Sequence, residues 1–106
     1  MFDYDTLVEF AIRHLLQEAG HATTLAPALA CKWPEAQPLD LLLVMALAAD
    51  SIETTLAGDQ ATRAAQDVWR MATLFAVEVL ALQAEGAPMG RAADLATIWQ
   101  RGNGRH

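Results

Sequence analysis

The sequence predicts an all-α fold, a small helical bundle of four main helices with a central antiparallel hairpin and room for one extra short helix. Three observations lead to this prediction. Apolar residues recur every three or four positions in four segments, no apolar–polar alternation persists, and alanine, the strongest helix former, supplies 22 of the 106 residues. The length suits one domain, which we place at 1–101, followed by a flexible C-terminal tail at 102–106.

The first helix is predicted from about Thr6 to Ala19. Thr6 and Glu9 match a Thr-x-x-Glu capping box, in which each side chain accepts a hydrogen bond from a backbone amide at the helix start. The apolar positions at three-four spacing form one face, which must pack on the rest of the chain. They are Val8, Ala11, Ile12, Leu15 and Ala19.

The segment 21–37 has a weaker helical pattern because three prolines interrupt it, although Thr24 can cap a short helical turn. Leu25, Leu29 and Trp33 recur every four residues, so they can lie on one side of such a turn. We predict that these three side chains cover an apolar surface elsewhere in the chain.

The central hairpin consists of two long helices joined at Gly58. The first is predicted from Pro38, which suits a first helical turn, to Ala57. The second begins at Asp59, a favourable N-cap residue, and ends before Gly86. A last amphipathic helix is predicted at 91–101.

Each hairpin helix loses its polar face at the end farthest from Gly58. Nine consecutive apolar residues run from Leu41 to Ala49, and Thr73 and Glu78 are the only polar residues between 71 and 82. The first and last helices are short and need not surround both ends, so we expect a homodimer through them, with the chain itself or another protein as the other possible cover. The predicted interaction residues are Leu43, Leu47, Leu74, Val77, Glu78, Ala81 and Trp33.

The charge distribution indicates which partners suit the chain. The net charge is -6, and the residues up to 60 contain nine acids against Arg13 and Lys32. An acidic surface repels phosphate backbones and anionic membranes, so direct binding to nucleic acid or lipid is disfavoured. A basic protein partner is the complementary choice.

The sequence contains no recognisable pattern for catalysis, metal binding or phosphate binding. His14, His21 and His106 lack chelating spacing, and Ser51 and Cys31 lie outside known nucleophile motifs. We therefore predict no catalytic residue, no metal site and no cofactor, and we interpret Cys31 as a small, partly buried apolar residue or an unremarkable thiol. A single cysteine favours the reducing cytoplasm, and the nine-residue apolar run is too short to span a bilayer.

These features favour a non-enzymatic protein–protein interaction module, such as an adaptor, chaperone, immunity protein or inhibitor. Its acidic surface could act on nucleic-acid-binding machinery by imitating a phosphate backbone. One other function stays open, a carrier of a small apolar ligand with a closed pocket near Met45, Phe75 and Val79.

The main alternative is a small nucleic-acid-acting helical domain. Arg101 and His106, separated by four residues, have the spacing found in the RNA-cleaving motif of the all-helical HEPN proteins. In that family a packed helix holds the motif, whereas here two glycines separate the residues, so we assign no family. A regulator that touches phosphates through Arg91, Arg101 and Arg105 belongs to the same alternative.

Overall fold

A computed structural model describes residues 3–17, 22–56, 58–87 and 90–103. The chain forms five helices in the order α1 (Tyr4–Gln17), α2 (Ala22–Lys32), α3 (Pro38–Thr55), α4 (Asp59–Ala84) and α5 (Ala92–Asn103). No strand occurs in the described ranges, so the predicted all-α class is confirmed. The predicted exit of the first helix, at 18–20, and the end of the tail, at 104–106, lie outside these ranges.

Helix α1 begins two residues earlier than predicted because Asp3, rather than the Thr6–Glu9 pair, caps it. The Asp3 carboxylate accepts hydrogen bonds from the amide of Asp5 at 3.1 Å and from the hydroxyl of Thr6 at 2.8 Å. The Thr6 hydroxyl thus bonds backwards to Asp3, while Glu9 forms an ion pair with Arg13. The predicted capping box is therefore wrong, although the helix that it marked is present.

Helix α1 is tied to α3 by a side-chain hydrogen bond. The Tyr4 hydroxyl donates to Asp40 Oδ1 at 2.5 Å, and this bond is the main cause that raises the pKa of Tyr4 above its ordinary 10.0. Asp40 Oδ2 also accepts the amide of Gln37 at 3.0 Å, at the start of α3. One aspartate therefore serves both the docking of α1 and the capping of α3.

The segment in which a short helical turn or an extra short helix was predicted contains α2, a helix of 11 residues. Pro27 lies inside it and removes one backbone hydrogen bond, which normally disfavours a helix. Leu25 and Leu29, on either side of the proline, are completely buried, as the sequence predicted for an internal cover. Tertiary packing of these leucines therefore outweighs the local cost of the proline.

Helices α3 and α4 follow each other through Gly58 and make the most extensive contact between any two helices of the described chain. Gly58 has φ +105°, a conformation that L side chains rarely adopt, and its carbonyl accepts the Thr62 amide at 3.1 Å. Gly58 is thus the N-cap of α4, and Asp59, predicted for that role, is the first helical residue. The two helices form the α3–α4 hairpin.

The remaining helices pack on one face of this hairpin. Helix α1 contacts α3, α2 contacts both α3 and α4, and α5 contacts α2 and α3. The molecule measures 42 × 35 × 22 Å, and the smallest dimension corresponds to two layers of helices about 10 Å thick each. The core between the layers includes Leu41, Met45, Ile52, Val68 and Phe75 of the hairpin.

Helix α5 is held at its start by the connection between α2 and α3. The amide of Ala92 donates to the carbonyl of Ala36 at 2.5 Å, and that of Ala93 donates to the carbonyl of Pro34 at 2.9 Å. Ala36 and Ala92 are both completely buried, and their small side chains permit this close approach. The connection therefore closes one end of the core.

Candidate functional site

The exposed apolar side chains of the described residues concentrate on the α3–α4 hairpin. Seven of the ten large apolar residues that are exposed belong to α3 or α4. Soluble monomers seldom expose a large contiguous apolar patch, and such patches mark binding sites more often than chance. We call the following residues the outer surface: Leu39, Leu43 and Leu47 of α3, with Leu74, Val77, Leu80 and Ala81 of α4.

A groove joins the two helices of the outer surface. Leu39 and Leu42 of α3 line one wall, Ala76 and Leu80 of α4 line the other, and Val79 is also in its lining. Its volume is about 620 Å³, within the range of binding clefts. The groove lies where the start of α3 meets the end of α4, which is the apolar end predicted from the sequence.

In the stretches of α3 and α4 that form the outer surface, 39–47 and 74–81, the charged residues are Asp40 and Glu78, while Arg63 and Arg70 lie on α4 nearer to Gly58. No lysine or arginine occurs between Lys32 and Arg63 or between Arg70 and Arg91. The carboxylates in those stretches include Asp50, Glu53 and Glu78, all of which are exposed. The outer surface therefore combines apolar side chains with carboxylates on the same two helices.

Two tryptophan–glutamate hydrogen bonds flank the hairpin. The indole Nε1 of Trp69 donates to Glu53 Oε2 at 2.9 Å, which links α4 to α3 near Gly58. The indole Nε1 of Trp99 donates to Glu78 Oε1 at 2.9 Å, which links α5 to α4 at the apolar end. Glu78, predicted as a residue of the interaction surface, is thus exposed and bonded to α5 within the chain.

The structure brings six of the seven predicted interaction residues onto the two hairpin helices in exposed positions. Trp33 is the exception, because it is half-buried and its ring packs edge-on against Phe10 of α1 at 5.2 Å. The Lys32 ammonium also lies over the Trp33 ring, 5.9 Å from its centre. A role of these residues in binding stays a prediction.

Sequence reasoning missed the most exposed large apolar side chains of the outer surface. Leu39 is 69% exposed and Leu80 is 66% exposed, more than Leu43, Leu47, Leu74 or Val77 among the predicted residues. Both lie in the apolar ends that the sequence identified, and Leu80 follows Val77 by three residues. The signal was present, but helical spacing alone does not show which face of a helix the other helices cover.

The side chains considered for catalysis or metal binding are placed as follows. Cys31 is exposed rather than partly buried. His14 Nε2 hydrogen-bonds to Thr24 Oγ1 at 2.9 Å, and its ring stacks on Phe10. In the part of the chain that the structure describes, no group of three His, Cys, Asp or Glu side chains could hold a metal ion.

The nucleic-acid alternative depends on residues at the end of the chain. The side chains of Arg101, Arg105 and His106 lie outside the described residues. Arg91 is described, and its guanidinium lies 3.5 Å from Glu35 and 3.8 Å from Asp94. Arg91, the one of these basic groups with a described side chain, is therefore engaged with carboxylates of the chain.

Neither the helices of the described residues nor similarity to known proteins assigns the chain to a class. Among the described helices, none combines the length and apolarity needed to cross a bilayer. No protein-family model matches the chain, and no curated protein or solved structure shows significant similarity to it.

Proposed function

We propose that this chain is a non-enzymatic protein–protein interaction module that binds a partner through the outer surface of the α3–α4 hairpin. The observation that carries the proposal is the exposure of a run of large apolar side chains on two adjacent helices, from 38% for Leu47 to 69% for Leu39. Water contact with this surface is unfavourable, and burial contributes about 25 cal/mol for each Å² of apolar area. A bound protein would supply that burial.

The chemistry of the surface specifies the kind of partner. A groove between two helices accepts the apolar face of a third helix, whose anchors recur every three or four residues. The carboxylates of Asp50, Glu53 and Glu78, with no basic residue on α3, attract positive charge. The proposed partner is therefore an amphipathic helix with apolar anchors and flanking lysines or arginines, and an adaptor, chaperone, immunity or inhibitor role would use such binding.

A second copy of the chain is the competing occupant. Two outer surfaces related by a twofold axis would pack four helices together in a homodimer. Like carboxylates would then face each other, which weakens this arrangement relative to a basic partner. The compartment we propose is the cytoplasm, because the exposed thiol of Cys31 stays reduced there.

The test uses two synthetic helical peptides with the same pattern of leucines, one with lysines and one with glutamates at the polar positions. Binding is followed by calorimetry with the unmodified chain, with Leu80→Glu and with Leu16→Glu. Leu16 is the matched control because it is 54% exposed but lies on α1. We expect the lysine peptide to bind, and Leu80→Glu to weaken it about tenfold or more.

The control results decide the proposal. The glutamate peptide should not bind, Leu16→Glu should leave the affinity unchanged, and added salt should weaken binding of the lysine peptide. Equal losses from both leucine substitutions, or no binding of either peptide, would contradict the proposal. Light scattering after size-exclusion chromatography measures the oligomeric state of the chain. A homodimer that Leu80→Glu dissociates would show that a second copy occupies the surface instead.

A further inference from the structure

A second cavity, of about 520 Å³, lies among α2, α4 and α5 and shares only Phe75 with the groove of the outer surface. It exists because α2 presents the small residues Ala22 and Ala26 on this side. Larger side chains there would fill the space between α2 and α4. The floor is formed by Met45 and Phe75, which are 1% and 6% exposed.

This cavity has the composition of a small-molecule site. Its lining is mostly apolar, and such sites typically occupy about 300–1,000 Å³ with a few polar groups that orient the ligand. The rings of Phe75 and Trp99 lie 6.2 Å apart with an angle of 53° between them, and both line the space. The thioethers of Met45 and Met71 provide adaptable apolar contacts.

The carboxylate of Glu78 lies on the same lining and gives the cavity a negative charge. The Trp99 indole donates to one of its oxygens, which holds both groups at the wall. A carboxylate accepts about four hydrogen bonds, so the indole satisfies only a part of its capacity. Among the described side chains, no lysine or arginine pairs with Glu78, and none lines the cavity.

We propose that this cavity binds a small apolar amine. The ammonium group would bind the Glu78 carboxylate, and its hydrocarbon or aromatic body would lie on Met45 and Phe75. The charges are complementary, and the Trp99 ring beside the carboxylate adds attraction for a cation. The cavity and the groove of the outer surface share Phe75, while Leu74 and Glu78 belong both to the cavity lining and to the surface described above, so the two proposals are separated by their ligands, a small amine and a helical peptide.

The experiment compares two probes of the same shape, naphthylethylamine and naphthylethanol, which differ in the presence of the ammonium. The indole N–H resonances of the three tryptophans, assigned with tryptophan-to-phenylalanine variants, report where each probe binds. We expect the amine to shift the Trp99 resonance and leave that of Trp69 unchanged. Glu78→Gln should weaken amine binding about tenfold without affecting the weaker binding of the alcohol.

Two further variants control the result. Glu53→Gln removes the charge from the other indole–carboxylate pair, keeps an oxygen that can accept the indole N–H, and should leave amine binding unchanged. Ala26→Phe fills the cavity and should abolish binding of both probes. Equal affinity for amine and alcohol, no response of Trp99, or equal effects of Glu78→Gln and Glu53→Gln would overturn the proposal. Because Glu78 is exposed, Glu78→Gln tests the site even if Ala26→Phe fails to fold.

Discussion

The inner and outer faces of the α3–α4 hairpin carry the same kinds of side chain in opposite environments. Leu41 and Met45 on the inner face of α3 are at most 1% exposed, whereas Leu39 and Leu43 on the same helix are 69% and 42% exposed. The difference lies in what covers each face, since α1, α2 and α5 pack on only one of them. Side-chain type alone therefore does not determine burial in this molecule.

The same comparison applies along α4. Val68 and Phe75 point into the core, while Val77 and Leu80 remain exposed at 59% and 66%. Besides the hairpin, the described chain has three helices. Together they cover one apolar face of the hairpin and leave the other exposed. The comparison predicts that substitutions on the inner face change stability, whereas those on the outer face change binding.

The largest effect is expected from Leu41→Ala on the inner face. Leu41 is completely buried, so its truncation removes apolar contacts and leaves a cavity, and we expect a loss of about 2–5 kcal/mol in the free energy of unfolding. Urea denaturation measures this loss. Leu41→Met, which conserves volume, is the control and should cost less than about 1.5 kcal/mol. A small loss for Leu41→Ala would contradict the assignment of the inner face.

A smaller effect on stability is expected from Asp3→Ala. This substitution removes the N-cap of α1, one of the helices that cover the inner face. The hydrogen bond from the Thr6 hydroxyl is the main cause that lowers the pKa of Asp3 below its ordinary 3.8. A carboxyl group with a lower pKa in the folded state than in the unfolded chain stabilises the fold when it is ionised. This contribution is complete above pH 3.8 and is lost as the pH falls through the folded-state pKa.

Urea denaturation of the parent and Asp3→Ala proteins over a series of pH values tests this prediction. At neutral pH, Asp3→Ala should be less stable than the parent, by less than the loss for Leu41→Ala, and the two curves should converge in acid. Asp67→Ala is the control, because this exposed carboxylate makes no hydrogen bond among the described residues. A difference that persists unchanged below the folded-state pKa would show that the Asp3 charge plays no part.

The fold class and the approximate bounds of four helices could be predicted because helical spacing and breaker residues are local signals. Pro38 and Gly58 marked the limits of α3 within two residues. The full length of α2 could not be predicted, since Pro27 disfavours a helix locally and the burial of Leu25 and Leu29 depends on distant residues. The helix forms because these leucines are buried against residues that are distant in the sequence.

The candidate site was predictable only in part, for a related reason. The apolar ends of the hairpin were visible in the sequence, and six predicted residues are exposed there. The high exposure of Leu39 and Leu80 depends on which face of the hairpin α1, α2 and α5 contact. The Trp99–Glu78 bond joins residues 21 positions apart on two helices, a contact that helical periodicity does not indicate.

The smallest effect on stability is expected from Leu80→Gln on the outer surface. Leu80 is 66% exposed, so it loses little water contact on folding, and the free energy of unfolding should change by less than about 0.5 kcal/mol. Urea denaturation at low and high protein concentration measures it, because burial of Leu80 in a homodimer would make stability depend on concentration. A loss above about 1 kcal/mol only at high concentration would assign the outer surface to a second copy. The same loss at every concentration would contradict the exposure of this face.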